Sequence, residues 1–190
     1  GGRRLGSGRL CHVAPSLAGV RPGHRKRGAA PATGPAGVKL DLWGLDSSQE
    51  AVDCTRESLD RSGLAGNLWT GPWSACPFPA GTFDLVVSNP PYFLPGTGKQ
   101  GGPGRMEQES LDSLCAAAAR LLRNGGRFAL CHRPERLPQL MRGMTDHGLE
   151  PKRMALLAAG PDRPPSTVLL EGVRQGRPGL EILPTLYPAT

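Results

Sequence analysis

Strand and helix patterns alternate along the chain from Val38 onward, and this alternation limits the possible folds more than any other feature. Short apolar segments with β-branched residues predict buried strands, whereas apolar residues at i, i+3, i+4 and i+7 predict helices. The predicted order is strand, helix, strand, strand, helix, strand, helix, strand, strand. This order implies a doubly wound α/β sheet whose strands are mostly parallel.

Several of the predicted elements begin or end at recognisable signals. Ser47 and Glu50 form a capping box at the start of the first helix, and Gly63 stops that helix. The last two strands have no helix between them, so they predict an antiparallel hairpin at the sheet edge. The predicted strands cover 38–46, 67–73, 82–88, 127–132, 149–160 and 166–174, and the predicted helices cover 47–63, 106–123 and the segment from Leu137 to Met144.

Residues 1–37 differ in composition from the rest of the chain, with nine glycines, four prolines and seven Lys or Arg. Such a segment, without helical or strand periodicity, predicts disorder or non-native sequence. We therefore expect one folded domain at 38–190, with the first strand of the sheet missing or altered. The net charge of +7 favours a polyanionic partner, although residues 1–40 alone hold eight Lys or Arg and no acid.

The five cysteines lie far apart and form no C-x-x-C pair, so we expect reduced thiols and no metal site. The sequence contains no apolar run long enough to span a membrane, and its arginine-rich start lacks the apolar core of a secretory signal. These features predict a cytoplasmic protein that does not enter membranes. Oligomeric state is left open by the sequence.

The stretch FDLVVSNPPYF ends a predicted strand with Asn89, Pro90, Pro91 and Tyr92. Ligands of doubly wound sheets bind at the carboxyl ends of strands, so this strand end is a candidate catalytic site. Asn89 offers a side-chain carbonyl and Pro90 offers a backbone carbonyl. Together these oxygens can accept hydrogen bonds from the two N–H groups of a planar amino group. The prolines stiffen this geometry, and no general base is needed because the proton can leave after transfer.

Tyr92 and Phe93 offer aromatic faces on which a flat base can stack, which predicts a substrate-binding role. The alternative is that Asn-Pro-Pro only terminates the strand and that Tyr92 packs in the core. The loop that follows contains Lys99, with Arg105 just beyond it. These two cations are candidate contacts to RNA phosphates, or part of an ordinary flexible connector.

The N-P-P-Y motif resembles that of S-adenosylmethionine-dependent methyltransferases that modify exocyclic or amide nitrogens. These include adenine-N6 methyltransferases and release factor glutamine N5-methyltransferases. Three C-terminal stretches, LLRNGGRFALCHRPERLPQLM, GLEPKR and STVLLEGVRQGRPGLEILPTLY, are similar to the bacterial enzymes that methylate adenine N6 in a valine tRNA. The resemblance covers about residues 40–187 and implies a Rossmann-like methyltransferase sheet and an S-adenosyl-L-methionine cofactor.

The resemblance implies that Asn89 and Pro90 hold the amino group of adenine in tRNA while Tyr92 stacks on the base. A second possibility is a protein substrate, the glutamine of a release factor. A third is a truncated, inactive methyltransferase-like domain. The third remains open because the family's glycine-rich turn has only a weak counterpart, Gly6 and Gly8, which read as glycines of a low-complexity stretch.

Asn89 is a candidate for cofactor binding as well as for catalysis, and two further residues are candidates for cofactor binding. Asp46 ends the predicted strand 38–46 and fits the acid that binds ribose hydroxyls in such folds, although an acid before a helix also favours the helix dipole. Trp73 follows Gly71 and Pro72, where relatives place a residue that contacts the adenine of the cofactor. Trp73 is expected either to stack on that adenine or to fill the core.

Overall fold

The computed structural model of the chain describes residues 17–22, 32–33, 39–90 and 110–188, with side chains described for 41–90 and 110–188. Within these ranges the chain forms nine strands and three α-helices. The strands are β1 Leu17–Pro22, β2 Ala32–Thr33, β3 Lys39–Asp46, β4 Gly66–Thr70, β5 Phe83–Ser88, β6 Leu122–His132, β7 Leu149–Leu157, β8 Thr167–Arg174 and β9 Glu181–Ile182. The helices are α1 Gln49–Arg61, α2 Leu111–Leu121 and α3 Leu137–Asp146.

All described strands belong to one sheet, in the order β2-β3-β1-β5-β6-β8-β7-β9, with β4 beside β3. The pairing directions show that β3, β4, β5, β6, β7 and β9 run the same way. This confirms the predicted doubly wound, mostly parallel sheet. The antiparallel pairing of β7 with β8 confirms the predicted C-terminal hairpin, and only β9 lies beyond it in the described sheet.

The central position between β3 and β5 is occupied by β1, which runs antiparallel to both neighbours. The sequence predicted that the first strand was missing or altered, and no strand within 1–37. The structure instead places β1 and the short β2 in that stretch, which corrects this part of the prediction. Because β1 is reversed, its first residue rather than its last lies at the edge where β3 and β5 end.

The helices α2 and α3 pack on one face of the sheet, where they cover a continuous apolar core. Side chains alternate along β6, so that Phe128, Leu130 and His132 are buried on this helix-covered face. Arg127 and Cys131 point to the opposite face and are more exposed. This alternation is typical of a half-buried strand, and it determines which side chains of β6 can contact residues at the end of β5.

Local sequence signals place the element ends with small differences from the prediction. The predicted strand 67–73 ends at Thr70 and is followed by a 3-10 turn at Trp73–Ala75, while the predicted strand 127–132 begins earlier, at Leu122. Ser48 rather than Ser47 is the N-cap of α1, since its hydroxyl oxygen accepts a hydrogen bond from the Ala51 N–H at 3.4 Å. Gly63, with φ of 66°, follows the C-cap of α1 as expected.

The position of the cap gives a first testable prediction. Ser48→Ala should lower the free energy of unfolding by about 1 kcal/mol, because it removes an acceptor from an otherwise unpaired helix N–H. Ser47→Ala, one residue earlier, should change it by less than about half of that amount. Urea denaturation of both variants measures the difference. A larger loss of unfolding free energy in Ser47→Ala would show that Ser47, the residue predicted from the sequence, is the N-cap.

Candidate functional site

The carboxyl ends of β3 and β5 form one edge of the sheet, and the candidate site lies there. Leu17 of β1 pairs with Leu45 of β3 on one side and with Ser88 of β5 on the other. Asp46 and Asn89 are the next residues of those strands, so they stand on either side of β1, about 10 Å apart at two strand spacings. The structure therefore brings together the two polar residues that the sequence placed at strand ends.

The substrate side of the edge contains Asn89 and Pro90. Asn89 is exposed, whereas Pro90 is buried immediately after it. Asn89 is therefore accessible at this edge, while the next residue packs into the protein. The other predicted substrate-side residues lie outside the described residues, so their roles stay predictions: Pro91, Tyr92, Phe93, Lys99 and Arg105.

A thiol contacts the candidate catalytic amide, and sequence reasoning missed it. The Cys131 Sγ–H donates a hydrogen bond to Asn89 Oδ1 at 3.0 Å. The sequence predicted only a reduced thiol here, and the structure shows Cys131 as a thiol that is partly buried. One signal could have revealed this contact. Cys131 lies near the end of the predicted strand that follows, along the chain, the strand carrying Asn89, and neighbouring parallel strands end at the same edge of a sheet.

The cofactor side of the edge contains Asp46, whose side chain is only 3% exposed. Its Oδ1 accepts a hydrogen bond from the Ser48 N–H at 2.8 Å, and its backbone carbonyl accepts one from the Gly71 N–H at 2.8 Å. The strand end is thereby fixed to the start of α1 and to the end of β4. Burial raises the pKa of the Asp46 carboxyl above its ordinary value, and the Ser48 N–H opposes this with a smaller lowering.

The second carboxylate oxygen, Asp46 Oδ2, is buried and has no hydrogen-bond partner among the described residues. A buried carboxylate oxygen without a donor is costly, so such an atom is expected to meet a donor when the site is filled. A ribose supplies two adjacent hydroxyl donors of the required kind. The observed geometry thus fits the sugar-binding role that the sequence predicted for Asp46, which remains a prediction.

Trp73, the other predicted cofactor contact, lies in the core and is 2% exposed. Its indole Nε1–H donates to Ser113 Oγ of α2 at 2.9 Å. A side chain held in this way by the helix behind the sheet has little surface left on which an adenine could stack. The structure therefore favours the alternative in which Trp73 fills the core, and no cofactor role for it enters the proposal below.

The burial of Trp73 gives a second prediction. Trp73→Phe should lower the free energy of unfolding by about 1–2 kcal/mol, because the indole hydrogen bond and part of the ring are lost, while affinity for S-adenosylhomocysteine stays unchanged. Ser113→Ala removes the same hydrogen bond from the other side and serves as the comparison. Urea denaturation and calorimetry measure the two quantities. A tenfold loss of affinity in Trp73→Phe alone would assign the ring to the cofactor.

A cleft of about 460 Å³ lies at the opposite edge, where β5 and β6 begin, and it is lined by Arg120, Arg123 and Arg174. Arg120 donates to the carbonyl oxygens of Cys76 and Phe78 at 2.6 and 3.0 Å. Arg174 donates to the His147 carbonyl, at the end of α3, at 2.8 Å, and Arg123 pairs with Asp84. Arg120 and Arg174 thus bind backbone oxygens of a loop and of a helix end, and Arg123 binds a carboxylate of β5. The cleft is separate from the edge of the sheet that holds Asp46 and Asn89.

Neither a metal cluster nor a membrane-spanning helix is found among the residues that the structure describes. No group of three or more His, Cys, Asp or Glu side chains in them is placed to hold a metal ion. None of the helices formed by residues 49–61, 111–121 and 137–146 is long and apolar enough to cross a membrane.

Solved methyltransferase structures share this fold. A predicted O-methyltransferase from Agrobacterium tumefaciens superposes with a TM-score of 0.58 at 18% identity, over 75% of this chain and 66% of that chain. Geranyl diphosphate C-methyltransferase from Streptomyces coelicolor A3(2) superposes with a TM-score of 0.51 at 15% identity, over 70% of this chain and 64% of that chain. These likenesses show that the chain shares an α/β fold with solved methyltransferases.

The family follows from the sequence itself. A family model described as an RMKL-like methyltransferase domain matches residues 12–156, which is well over half of the chain. The chain therefore belongs to the RMKL-like methyltransferase domain family. The resemblance to methyltransferases inferred from Asn89-Pro90-Pro91-Tyr92 and the C-terminal stretches is confirmed at this level.

Curated relatives of two kinds are similar to the chain. The tRNA1(Val) (adenine(37)-N6)-methyltransferase of Phocaeicola vulgatus is 31% identical over 134 residues, 63% of this chain and 56% of the relative. The release factor glutamine methyltransferase of Pasteurella multocida is 36% identical over 62 residues, 33% of this chain and 21% of the relative. The chain thus spans about half, or less, of the length of the curated relatives that it matches.

Proposed function

We propose that the chain is the catalytic part of an enzyme that methylates the exocyclic N6 of an adenine in tRNA. The observation that carries the proposal is Asn89, an exposed amide at the carboxyl end of β5 whose oxygen accepts a hydrogen bond from Cys131. S-adenosylmethionine, when bound, supplies an electrophilic methyl group on a sulfonium. The chain must bind the amino group and align its nitrogen with that methyl group.

The amino group of adenine is a poor nucleophile because its lone pair is delocalised into the ring. Asn89 Oδ1 and the backbone carbonyl of Pro90 are two acceptors aimed at the two N–H bonds, and they stabilise the positive charge that develops on nitrogen. Pro90 is buried, which favours a fixed position for this residue. No carboxylate or histidine is required in contact with the nitrogen, because the proton leaves after the methyl group has transferred.

Cofactor binding is proposed for Asp46, whose unpartnered Oδ2 suits the ribose hydroxyls. The carboxyl end of the central strand would ordinarily contribute the backbone that holds the rest of such a cofactor. Here β1 is reversed, so that end of the strand is at the far edge of the sheet. The described residues therefore provide the sugar end of a cofactor site.

An RNA substrate is favoured over a protein substrate by the length of the similarity. The matches to two tRNA-modifying relatives extend over 134 and 94 residues, against 106 and 62 for two release factor enzymes. The sequence pI of about 9.6 also suits a polyanion, and residues 1–37 supply that excess of positive charge. Lys99 and Arg105 are the proposed phosphate contacts, and Tyr92 and Phe93 the proposed stacking surface for a base turned out of its stack. A tRNA substrate would imply a cytoplasmic enzyme.

A glutamine methyltransferase is the second candidate, and a specific observation favours it. Two release factor glutamine methyltransferases are similar to the chain, at 36% and 31% identity. A primary amide nitrogen is planar and conjugated like the adenine amine, so Asn89 and Pro90 would suit it equally well. The reversed β1 favours a third candidate, an inactive domain that does not bind the cofactor.

One assay separates these candidates. The purified protein is incubated with methyl-labelled S-adenosylmethionine and, separately, with unmodified valine tRNA and with a peptide release factor. Label in the tRNA, recovered as N6-methyladenine after digestion, supports the proposal, and label in the release factor replaces it with the second candidate. No label together with no heat on titration with S-adenosylhomocysteine leaves the inactive domain.

A further inference from the structure

We propose that Cys131 is a positioning residue for methyl transfer, and that it acts by fixing which end of the Asn89 amide faces the substrate. The inference rests on the proposed function. It adds a residue that lies on a different strand, 42 positions along the chain from Asn89. This arrangement selects a ligand with N–H donors, because the thiol keeps the oxygen of the Asn89 amide, an acceptor, toward the ligand in place of the nitrogen, a donor.

The contact follows from the register of two parallel strands. Ser88 of β5 pairs with Leu130 of β6, so the next residues on each strand, Asn89 and Cys131, stand side by side. Leu130 and His132 are buried beneath α2 and α3, and the alternation of a strand therefore turns Cys131 to the other face. That is the face toward which the Asn89 side chain turns, as the Sγ to Oδ1 distance of 3.0 Å shows.

An asparagine amide needs such a partner because its two ends have nearly the same shape and opposite hydrogen-bonding character. When Oδ1 faces the substrate, the amide accepts a hydrogen bond from a substrate N–H. When Nδ2 faces the substrate, the N–H groups of the amide repel the N–H of the substrate. The Cys131 S–H is a donor, so it favours the orientation with oxygen in the site. An amide oxygen has two lone pairs, and the one that does not receive the thiol proton can accept the N–H of the substrate.

A thiol is suited to this task because it is a weak donor. A charged donor such as lysine or arginine would draw electron density from Oδ1 and reduce its ability to stabilise positive charge on the substrate nitrogen. The thiol orients the amide at little cost to that ability. Cys131 is therefore expected to affect the rate of transfer and to leave the binding of the cofactor, on the Asp46 side of β1, unchanged.

Steady-state kinetics with the labelled cofactor test the inference in the full chain. Cys131→Ala should lower kcat about fivefold, the worth of one hydrogen bond, with KM for the cofactor unchanged. Cys131→Ser keeps a donor at the same position and should recover at least about half of the wild-type kcat. Cys54→Ala, on α1, is the matched control and should behave as wild type. A wild-type kcat in Cys131→Ala would overturn the inference.

Infrared spectroscopy provides a readout that does not depend on activity. The S–H stretching band of Cys131, identified by its loss in Cys131→Ala, should move to higher frequency in Asn89→Ala because the hydrogen bond is broken. An unchanged band would overturn the inference even in an active enzyme. Absence of transfer by the wild-type protein, with the band shift present, would overturn the proposed function and with it the catalytic role, while leaving the contact established.

Discussion

Asn89→Ala is expected to lower methyl transfer by about 10²–10³-fold, the usual cost of removing one preorganised group that stabilises charge in a transition state. Asn89 is proposed to make one of the two contacts to the reacting amino group. The melting temperature should change by less than about 2 °C, because Asn89 is exposed and its loss leaves no cavity.

The measurement is a single-turnover assay with labelled cofactor, accompanied by a thermal melt. Asn124→Ala is the matched control, since Asn124 is an exposed asparagine at the opposite edge of the sheet and should keep the wild-type rate. The assay uses whichever substrate, tRNA or release factor, the wild-type protein methylates. A rate in Asn89→Ala within about tenfold of wild type would remove Asn89 from the catalytic machinery.

Asp46→Asn is expected to affect cofactor affinity and stability in opposite directions. Affinity for S-adenosylhomocysteine should fall at least about tenfold, because a carboxylate acceptor for the ribose hydroxyls becomes an amide with a single oxygen. The free energy of unfolding should rise at neutral pH, because a buried charge with one unpartnered oxygen is replaced by a neutral group of the same shape. The hydrogen bond from Ser48 N–H can persist, since the asparagine oxygen can take the place of Oδ1.

The pH dependence of both effects follows from the raised pKa of Asp46. A carboxyl whose folded pKa lies above its unfolded pKa makes its full contribution to stability below the unfolded value, and loses it as pH rises through the folded value. The stability gained in Asp46→Asn should therefore be absent in acid and grow to a plateau above the folded pKa. Cofactor affinity of the wild type should rise over the same range, as the carboxylate ionises.

Thermal melts and calorimetry with S-adenosylhomocysteine, across a pH series, measure these changes. Asp60→Asn on α1 is the control, since Asp60 is exposed and distant from the edge of the sheet. It should match the wild type in affinity at every pH. A destabilised Asp46→Asn with normal affinity would mean that Asp46 only stabilises the start of α1, the alternative that the sequence had left open.

Much of this architecture could be read from local patterns. The β-branched segment of β5 and the helical periodicity of α2 each identify an element within a few residues, because neighbouring side chains share one environment. Strand-end positions for Asp46 and Asn89 followed from the same patterns. The predicted cap at Ser47 was wrong by one residue, since Ser47 and Ser48 offer the same hydroxyl and only backbone geometry distinguishes them.

Two features of the site could not be read in this way. The direction of β1 depends on backbone pairing with β3 and β5, which no periodicity within residues 17–22 encodes. The choice between core and cofactor for Trp73 depended on Ser113, 40 residues away. Both are outcomes of long-range packing, in which a segment takes the arrangement that satisfies neighbours distant in sequence.

From its residues alone this chain is an alternating α/β protein of the methyltransferase type, with an amide at one strand end and an acid at another. Such a conclusion is available because period, capping and turn chemistry are local properties. Folding then determined that β1 lies between β3 and β5, that Cys131 donates a hydrogen bond to Asn89, and that Trp73 belongs to the core. Each of these depends on strand register and sheet direction, which are set by contacts between residues far apart in the chain.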